Sequence, residues 1–271
     1  MSARAPTVLQ RILASTREEL MRRKERVPIA DLRAQASARG ASDRAFRDAL
    51  LKPGVSVIAE FKRRSPSAGA FHDDPPLGHM LDAYRRGGAA AVSILTEGPH
   101  FGGSLADIRE ARPACELPIL RKDFIIDPYQ LYESLVAGAD AVLLIVAALE
   151  PSELAELYDA ATEMGLDVLV EVHDRDELAA ALGLQPELIG INNRDLGDFS
   201  VDVDRTERLM ADVPAGVTVV SESGIATAEQ LHRLSEQGVH AVLVGESLMR
   251  SSDPEASLRA LRAFNPAHDV L

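Results

Sequence analysis

The chain predicts a (β/α)8 barrel with an N-terminal helical extension: one barrel domain over residues 1–271, of which roughly 1–54 is the extension. Three observations predict it. Short apolar runs of strand character recur from Val55 onward, at 57–61, 90–95, 118–122, 141–146, 168–172, 188–192, 217–221 and 241–244, with helical segments between them. Their spacing of about 20 to 35 residues suits one strand-plus-helix unit. Three of the strands are introduced by similar phrases, Gly87-Gly88-Ala89-Ala90-Ala91-Val92, Gly138-Ala139-Asp140-Ala141-Val142 and Gly238-Val239-His240-Ala241-Val242, each with a helix-stopping glycine just ahead of the strand. Eight units in succession exceed what an open doubly wound sheet usually holds, and the dinucleotide fingerprint GxGxxG is missing after the first strand.

Composition agrees. The 271 residues are 46% hydrophobic but only 4% aromatic, with no Trp, so the core must be Leu, Val, Ile and Ala, the residues that fill a parallel sheet. A net charge of −13 argues against nucleic acid, which needs a basic footprint. No apolar run approaches the ~20 residues of a membrane span. The first residues lack the apolar core of a secretion signal, and the single cysteine, Cys115, fits a reducing compartment; both point to the cytoplasm. One cysteine makes no thiolate cluster, and none of the seven histidines stands in an HxxxH or HxH pair, so no metal site is expected.

Taken in order, residues 7–26 carry Val8, Ile12, Leu13 and Leu20 on one side of an amphipathic helix that Pro28 ends. Two shorter helical pieces follow over 29–51, broken near Gly40, and Pro53-Gly54 turns into the first buried strand. The extension is read either as a plug for one end of the barrel or as a cover that shields its mouth from water. In the first strand Ile58, Glu60 and Lys62 share one face, because side chains alternate. A carboxylate and an ammonium thus follow an apolar residue on an inward stripe, and Ser65-Pro66-Ser67 and Gly69 turn the chain.

Active sites of such barrels lie at the C-terminal strand ends. The second strand runs into the Gly-rich loop Gly98–Ser104, with Gly102-Gly103 a candidate hinge alongside Gly69. The third ends in Arg121-Lys122-Asp123-Phe124, the fourth without charge as an apolar wall, the fifth in Glu171-Val172-His173, the sixth in Asn192-Asn193-Arg194-Asp195. The seventh and eighth end in Glu222-Ser223-Gly224 and Gly245-Glu246-Ser247, where barrels often seat phosphate on backbone N–H groups. Ser65 lies beside the eighth strand once the barrel closes. One such charged end is ordinarily just solvated; several at matching positions describe a mouth where lysines and glutamates shift one another's pKa values.

The runs EFKRRSPS from Glu60, RKDF from Arg121, VEVH from Val170, INNRDL from Ile191 and SESGI from Ser221, in this order and spacing, resemble the indole-3-glycerol-phosphate synthase family over nearly the whole chain. The resemblance implies a cofactor-free barrel lyase of tryptophan biosynthesis. The family converts 1-(2-carboxyphenylamino)-1-deoxyribulose 5-phosphate to indole-3-glycerol phosphate, losing carbon dioxide and water. It implies Lys122 as the general acid for ring closure, and Lys62 as the ligand of the substrate carboxylate and a donor for the dehydration; the sequence does not divide the proton transfers between the two. Glu171 is implied as general base. Glu60 is implied to orient the lysines and substrate hydroxyls, Asn192 to hold the substrate, Arg194 as an electrostatic partner, and Glu222 as a contact to hydroxyls. Phe124 and Leu143 would wall the aromatic ring. Ser65, Ser223, Gly224, Gly245 and Glu246 would hold the phosphate, Glu246 through its backbone N–H, since some members carry Ser there and a carboxylate would repel the anion. The partner is a small phosphorylated substrate; some members also associate with other tryptophan-pathway enzymes. Two other readings are another phosphate-binding barrel, such as a phosphosugar isomerase or a Schiff-base aldolase, the aldolase being favoured if borohydride traps a covalent lysine adduct, and a binding-only barrel, which would not need every acid and base.

Overall fold

The computed structural model describes residues 6–39, 45–66, 69–71, 75–197 and 199–263. Gly40, Ser67, His72 and His268 lie outside the described residues. Eight parallel strands close into a barrel: β1 Ser56–Phe61, β2 Ala91–Leu95, β3 Ile119–Lys122, β4 Ala141–Ile145, β5 Asp167–Val172, β6 Leu188–Asn192, β7 Thr218–Glu222 and β8 Ala241–Val244. Each pairs with the next, and β8 closes on β1 from Ser56 opposite Ala241 to Ala59 opposite Val244. Several strands differ from expectation by one residue at an end. The ladder decides the outcome: Asn192 pairs with Glu222, carrying β7 one residue further, whereas Val146 leaves β4 for a 3₁₀ turn, Val146–Ala148. The glycines ahead of three strands do what the repeated phrases require: Gly88, Gly138 and Gly238 take φ of 85°, 111° and 83°, left-handed values that only glycine adopts without strain.

The outer helices are α4 Leu77–Gly87, α5 Leu105–Ala111, α6 Pro128–Ala137, α7 Pro151–Glu163, α8 Arg175–Leu182, α9 Arg205–Met210, α10 Ala228–Glu236, the short α11 Glu246–Met249 and α12 Pro254–Arg262. Outward strand residues such as Val57, Ala59, Val170 and Val172 pack beneath them in two flanking apolar clusters. Inward residues Ile58, Leu120, Leu143, Leu169, Val220 and Leu243 fill the barrel as a third. Arg121 points outward with no exposure and meets Asp123 at 2.8 Å, Glu133 of α6 at 3.6 Å and the Gln130 carbonyl at 2.8 Å; a guanidinium so placed is tolerated because its donors are satisfied.

The extension comprises α1 Val8–Arg26, α2 Ile29–Arg39 and α3 Ala45–Leu50. It serves both ends of the barrel. Phe46 and Leu50 of α3, wholly buried, join the interior cluster, and the Arg47 backbone N–H donates to Asp167 at the start of β5 (2.9 Å) while its side chain reaches Thr218 at the start of β7 (3.3 Å). That is the N-terminal end. On α1, Ile12 and Leu13 belong to the same cluster as Phe124 and Leu143, and Ser15 Oγ stands 3.5 Å from His100 in the loop after β2. The chain crosses between the two ends along α6, where Arg23 pairs with Glu133 (3.3 Å), Lys24 with Asp127 (2.6 Å), and the Tyr129 hydroxyl lies against the Arg23 and Val27 carbonyls. No helix among the described residues is long and apolar enough to cross a membrane.

Candidate active site

A cavity of about 400 Å³ opens at the C-terminal end of the strands. Its wall includes Glu60, Lys62 and Ser65 from β1 and its loop, Lys122 and Phe124 from β3, Leu143 from β4, Glu171 from β5, Asn192 and Arg194 from β6, Glu222, Ser223 and Gly224 from β7, and Gly245 and Glu246 from β8. Every candidate position taken from the sequence thus borders one space.

The charged floor is tightly knit. Lys122 Nζ lies 3.2 Å from Glu171 Oε2 and 3.3 Å from Glu222 Oε2, and Lys62 Nζ lies 2.9 Å from Glu60 Oε1. Burial opposes the charge on Lys122, but Glu171, Glu222 and Glu60 together outweigh it and hold the ammonium well above the ordinary lysine range. Burial likewise favours a neutral Glu171, yet Lys122, His173 and Asn192 prevail and hold it well below the carboxylate range. Glu222 goes the other way. Burial raises it, Lys122 only partly offsets this, and Glu171 adds to it, so Glu222 is pushed up to about 8. Lys122 and His173 both favour the ionised form of Glu171, whereas Glu222 has only Lys122 against its burial, so Glu171 is the ionised and Glu222 the protonated member of the pair at neutral pH. Apart from the ion pair to Lys122, neither carboxyl oxygen of Glu222 makes a well-aligned hydrogen bond, a state rare for buried polar atoms.

Backbone geometry makes room for these side chains. A Cβ on Gly190 would overlap Glu222 Oε1, and one on Gly245 would stand 2.5 Å from Glu60 Oε1. Directly after β7, Ser223 adopts φ 67° and Gly224 φ 80°. Such a conformation costs a non-glycine residue about 1 kcal/mol or more, and hydrogen bonds hold it: Ser223 Oγ donates to Asn192 Oδ1 (2.9 Å) and Asn193 Nδ2 to the Ser223 carbonyl (3.0 Å). The Glu246 carboxylate turns to guanidinium groups, 3.6 Å from Arg194 and 3.2 Å from Arg250. It is neutralised, which removes the objection to a carboxylate beside an anion seat.

The structure adds wall residues that sequence reasoning passed over: Phe101, Leu196, Phe199 and Arg250. Phe101 faces Phe124 with ring centroids 6.3 Å apart, extending the apolar side. Its loop is tied down by Glu97, whose carboxylate accepts from the His100 and Phe101 N–H groups at 2.8 and 2.9 Å. Arg64 also donates to the Pro99 carbonyl. A Gly-rich loop carrying one aromatic was the available signal for Phe101. For Arg250, six residues past the last strand, there was none.

The family model described as indole-3-glycerol phosphate synthase matches residues 9–261. A curated protein named indole-3-glycerol phosphate synthase from Rhodopirellula baltica is 46% identical over 260 residues, covering 95% of this chain and 99% of its own. One of the same name from Rhizorhabdus wittichii is 47% identical over 258 residues, covering 93% and 97%. Among solved structures, a thiamine phosphate pyrophosphorylase from Pyrococcus furiosus superposes with TM-score 0.58 at 17% identity, covering 80% of this chain and 96% of its own. A mutant tryptophan synthase alpha-subunit from the same organism superposes with TM-score 0.58 at 15% identity, covering 77% and 98%. These last two bear on the barrel fold alone.

Proposed function

Since the chain belongs to the indole-3-glycerol phosphate synthase family, and so is a carboxy-lyase of tryptophan biosynthesis, we propose how the cavity divides the work. The aromatic carbon that bears the substrate carboxylate attacks the keto carbon while Lys122 gives a proton to the keto oxygen. Carbon dioxide then leaves and the ring regains aromaticity. Protonation of the new hydroxyl releases it as water, and Glu171 accepts the proton lost as the indole forms. The observation that carries this reading is Lys122 held between Glu171 and Glu222: it keeps the acid loaded and the base ionised in the resting site, a condition worth about 10²–10⁴-fold in general acid–base catalysis.

The other residues position the substrate. Lys62, oriented by Glu60, holds the carboxylate before it leaves and donates the proton for dehydration. Glu222, protonated at neutral pH, gives its hydrogen bond to a substrate hydroxyl, and Asn192 holds the same end. Phe124 and Leu143, with Phe101, sandwich the aromatic ring. The phosphate rests on Ser65, Ser223 and the backbone N–H groups of Gly224, Gly245 and Glu246, with Arg194 alongside.

The test uses an absence in the sequence. With no Trp in the chain, indole fluorescence rising from the carboxyphenylamino sugar phosphate is read without tryptophan background. Wild type produces the signal, and Lys122→Ala, folded by circular dichroism, loses ~10²–10⁴-fold. Near-normal turnover in that variant removes Lys122 from the mechanism.

A further inference from the structure

His173, the residue after β5, touches the proposed base and has no task in the scheme above. Its Nε2 is 3.3 Å from Glu171 Oε1, while Lys122 takes the other oxygen, Oε2, at 3.2 Å. On its far side Nδ1 is 2.9 Å from Glu177 Oε2, and that same oxygen accepts the His173 backbone N–H at 2.8 Å. Glu177 is itself fixed in the first turn of α8, its N–H donating to the N-cap Asp174 (2.9 Å). The imidazole side chain is 8% exposed. Both ring nitrogens therefore face carboxylate oxygens away from water. A neutral imidazole has one N–H and one lone pair, and would turn that lone pair against a carboxylate. The imidazolium hydrogen-bonds Glu177 on one side and on the other pairs by charge with Glu171, whose Oε1 makes no aligned hydrogen bond to the facing Nε2.

From this geometry we infer that His173 is a positioning residue for the reaction: held by Glu177, its imidazolium pins Oε1 of Glu171 and leaves Oε2 facing Lys122 and the substrate. The inference rests on the reading of Glu171 as general base. The charged groups acting on the ring support it. Burial disfavours the imidazolium, but Glu171 on its own strand and Glu177 on α8 outweigh burial and raise His173 to about 10; the 3₁₀ turn packed against β5 and α8 brings only Val146, Ala147 and Ala148. The cation in turn lowers Glu171, so His173 helps decide which glutamate of the Glu171/Glu222 pair stays ionised. A glutamate held only by Lys122 and Asn192 would be drawn toward them and lose its aim, and a small misplacement costs rate more than binding.

Taking a cation away from a carboxylate raises its pKa, so the acid limb of the kcat–pH profile moves to higher pH. In His173→Gln, kcat falls about tenfold with KM within about twofold, and the acid limb moves up by about one pH unit. Glu177→Gln, a half-buried change on a surface helix, shifts the limb the same way by less. Nitrogen NMR of the wild-type ring at pH 8 shows both nitrogens protonated. A neutral tautomer at pH 8, or a loss of activity in both variants with an unmoved acid limb, overturns the inference; the second outcome is what a merely structural histidine gives. Glu171→Gln assayed in parallel separates the two layers. If it retains turnover, the base assignment itself fails. If it is inactive while His173→Gln matches wild type in kcat and pH profile, only the positioning role fails.

Discussion

Replacing Glu222 by Gln should change how stability depends on pH. In the folded chain Glu222 is pushed up from an ordinary 4.5 to about 8, chiefly by burial. Between those values the folded state binds more protons than the unfolded one, so this group's contribution to stability is fully present below about 4.5 and is lost as pH rises toward 8. The gap corresponds to ~5 kcal/mol at ~1.4 kcal/mol for each tenfold change in proton affinity, of which ~3 kcal/mol falls between pH 5 and pH 8. The amide of Glu222→Gln cannot ionise, so the variant lacks that decline. Thermal unfolding followed by far-ultraviolet circular dichroism, at pH 5 and again at pH 8, should show the variant gaining on wild type by ~6 °C across the interval, taking ~2 °C per kcal/mol for a chain of this size. Parallel stability profiles over pH 5–8 would refute the claim that Glu222 carries a proton at neutral pH, and with it the division of charge between Glu222 and Glu171.

Three further outcomes follow from the geometry. Gly190→Ala puts a methyl group where Glu222 Oε1 lies; the side chain swings off Lys122, so kcat should fall about tenfold or more while stability drops by only about 1–3 kcal/mol, and unchanged kcat would count against Glu222 as a working group. Glu246→Gln releases Arg194 and Arg250 toward the phosphate, so KM should fall roughly two- to fivefold with kcat steady, the range of an exposed charge pair; a rise in KM would mean the carboxylate itself organises the seat. Deleting residues 1–27 removes α1 but spares α3, so the helical circular dichroism should fall only by the share of that 19-residue helix, with the barrel still folded, while KM for substrate rises; an unchanged KM would end the idea that α1 shields the mouth.

The barrel and its mouth were legible because both depend on local pattern. Ile58, Glu60 and Lys62 fall on one face by strand alternation alone, and once the strands are counted, residues such as Lys122, Glu171 and Glu222 must meet at one rim. What escaped depends on distance and direction. Arg121 neighbours Lys122 in sequence, yet its partners Gln130 and Glu133 lie on the next helix, and alternation says only that it points outward. His173 stands in the VEVH run without a role, because nothing in those four residues shows that Glu177, one helical turn later, closes on the ring. Arg250 reaches the cavity from the end of α11, and Phe199 from a loop residue at φ 64°; neither placement has a periodicity to betray it. The extension was read as plug or cover, and the structure puts α3 at one end and α1 near the other.

That double duty constrains how the protein is made. Arg47 takes its partners from Asp167 and Thr218, 120 and 171 residues downstream. As the chain leaves the ribosome, then, Phe46 and Leu50 can meet β1 and β2 early, but their seat is not closed until β5 and β7 have followed. The seating of α3 thus finishes late, and through that wait two large apolar side chains stay partly open to any chaperone or neighbouring nascent chain that meets them.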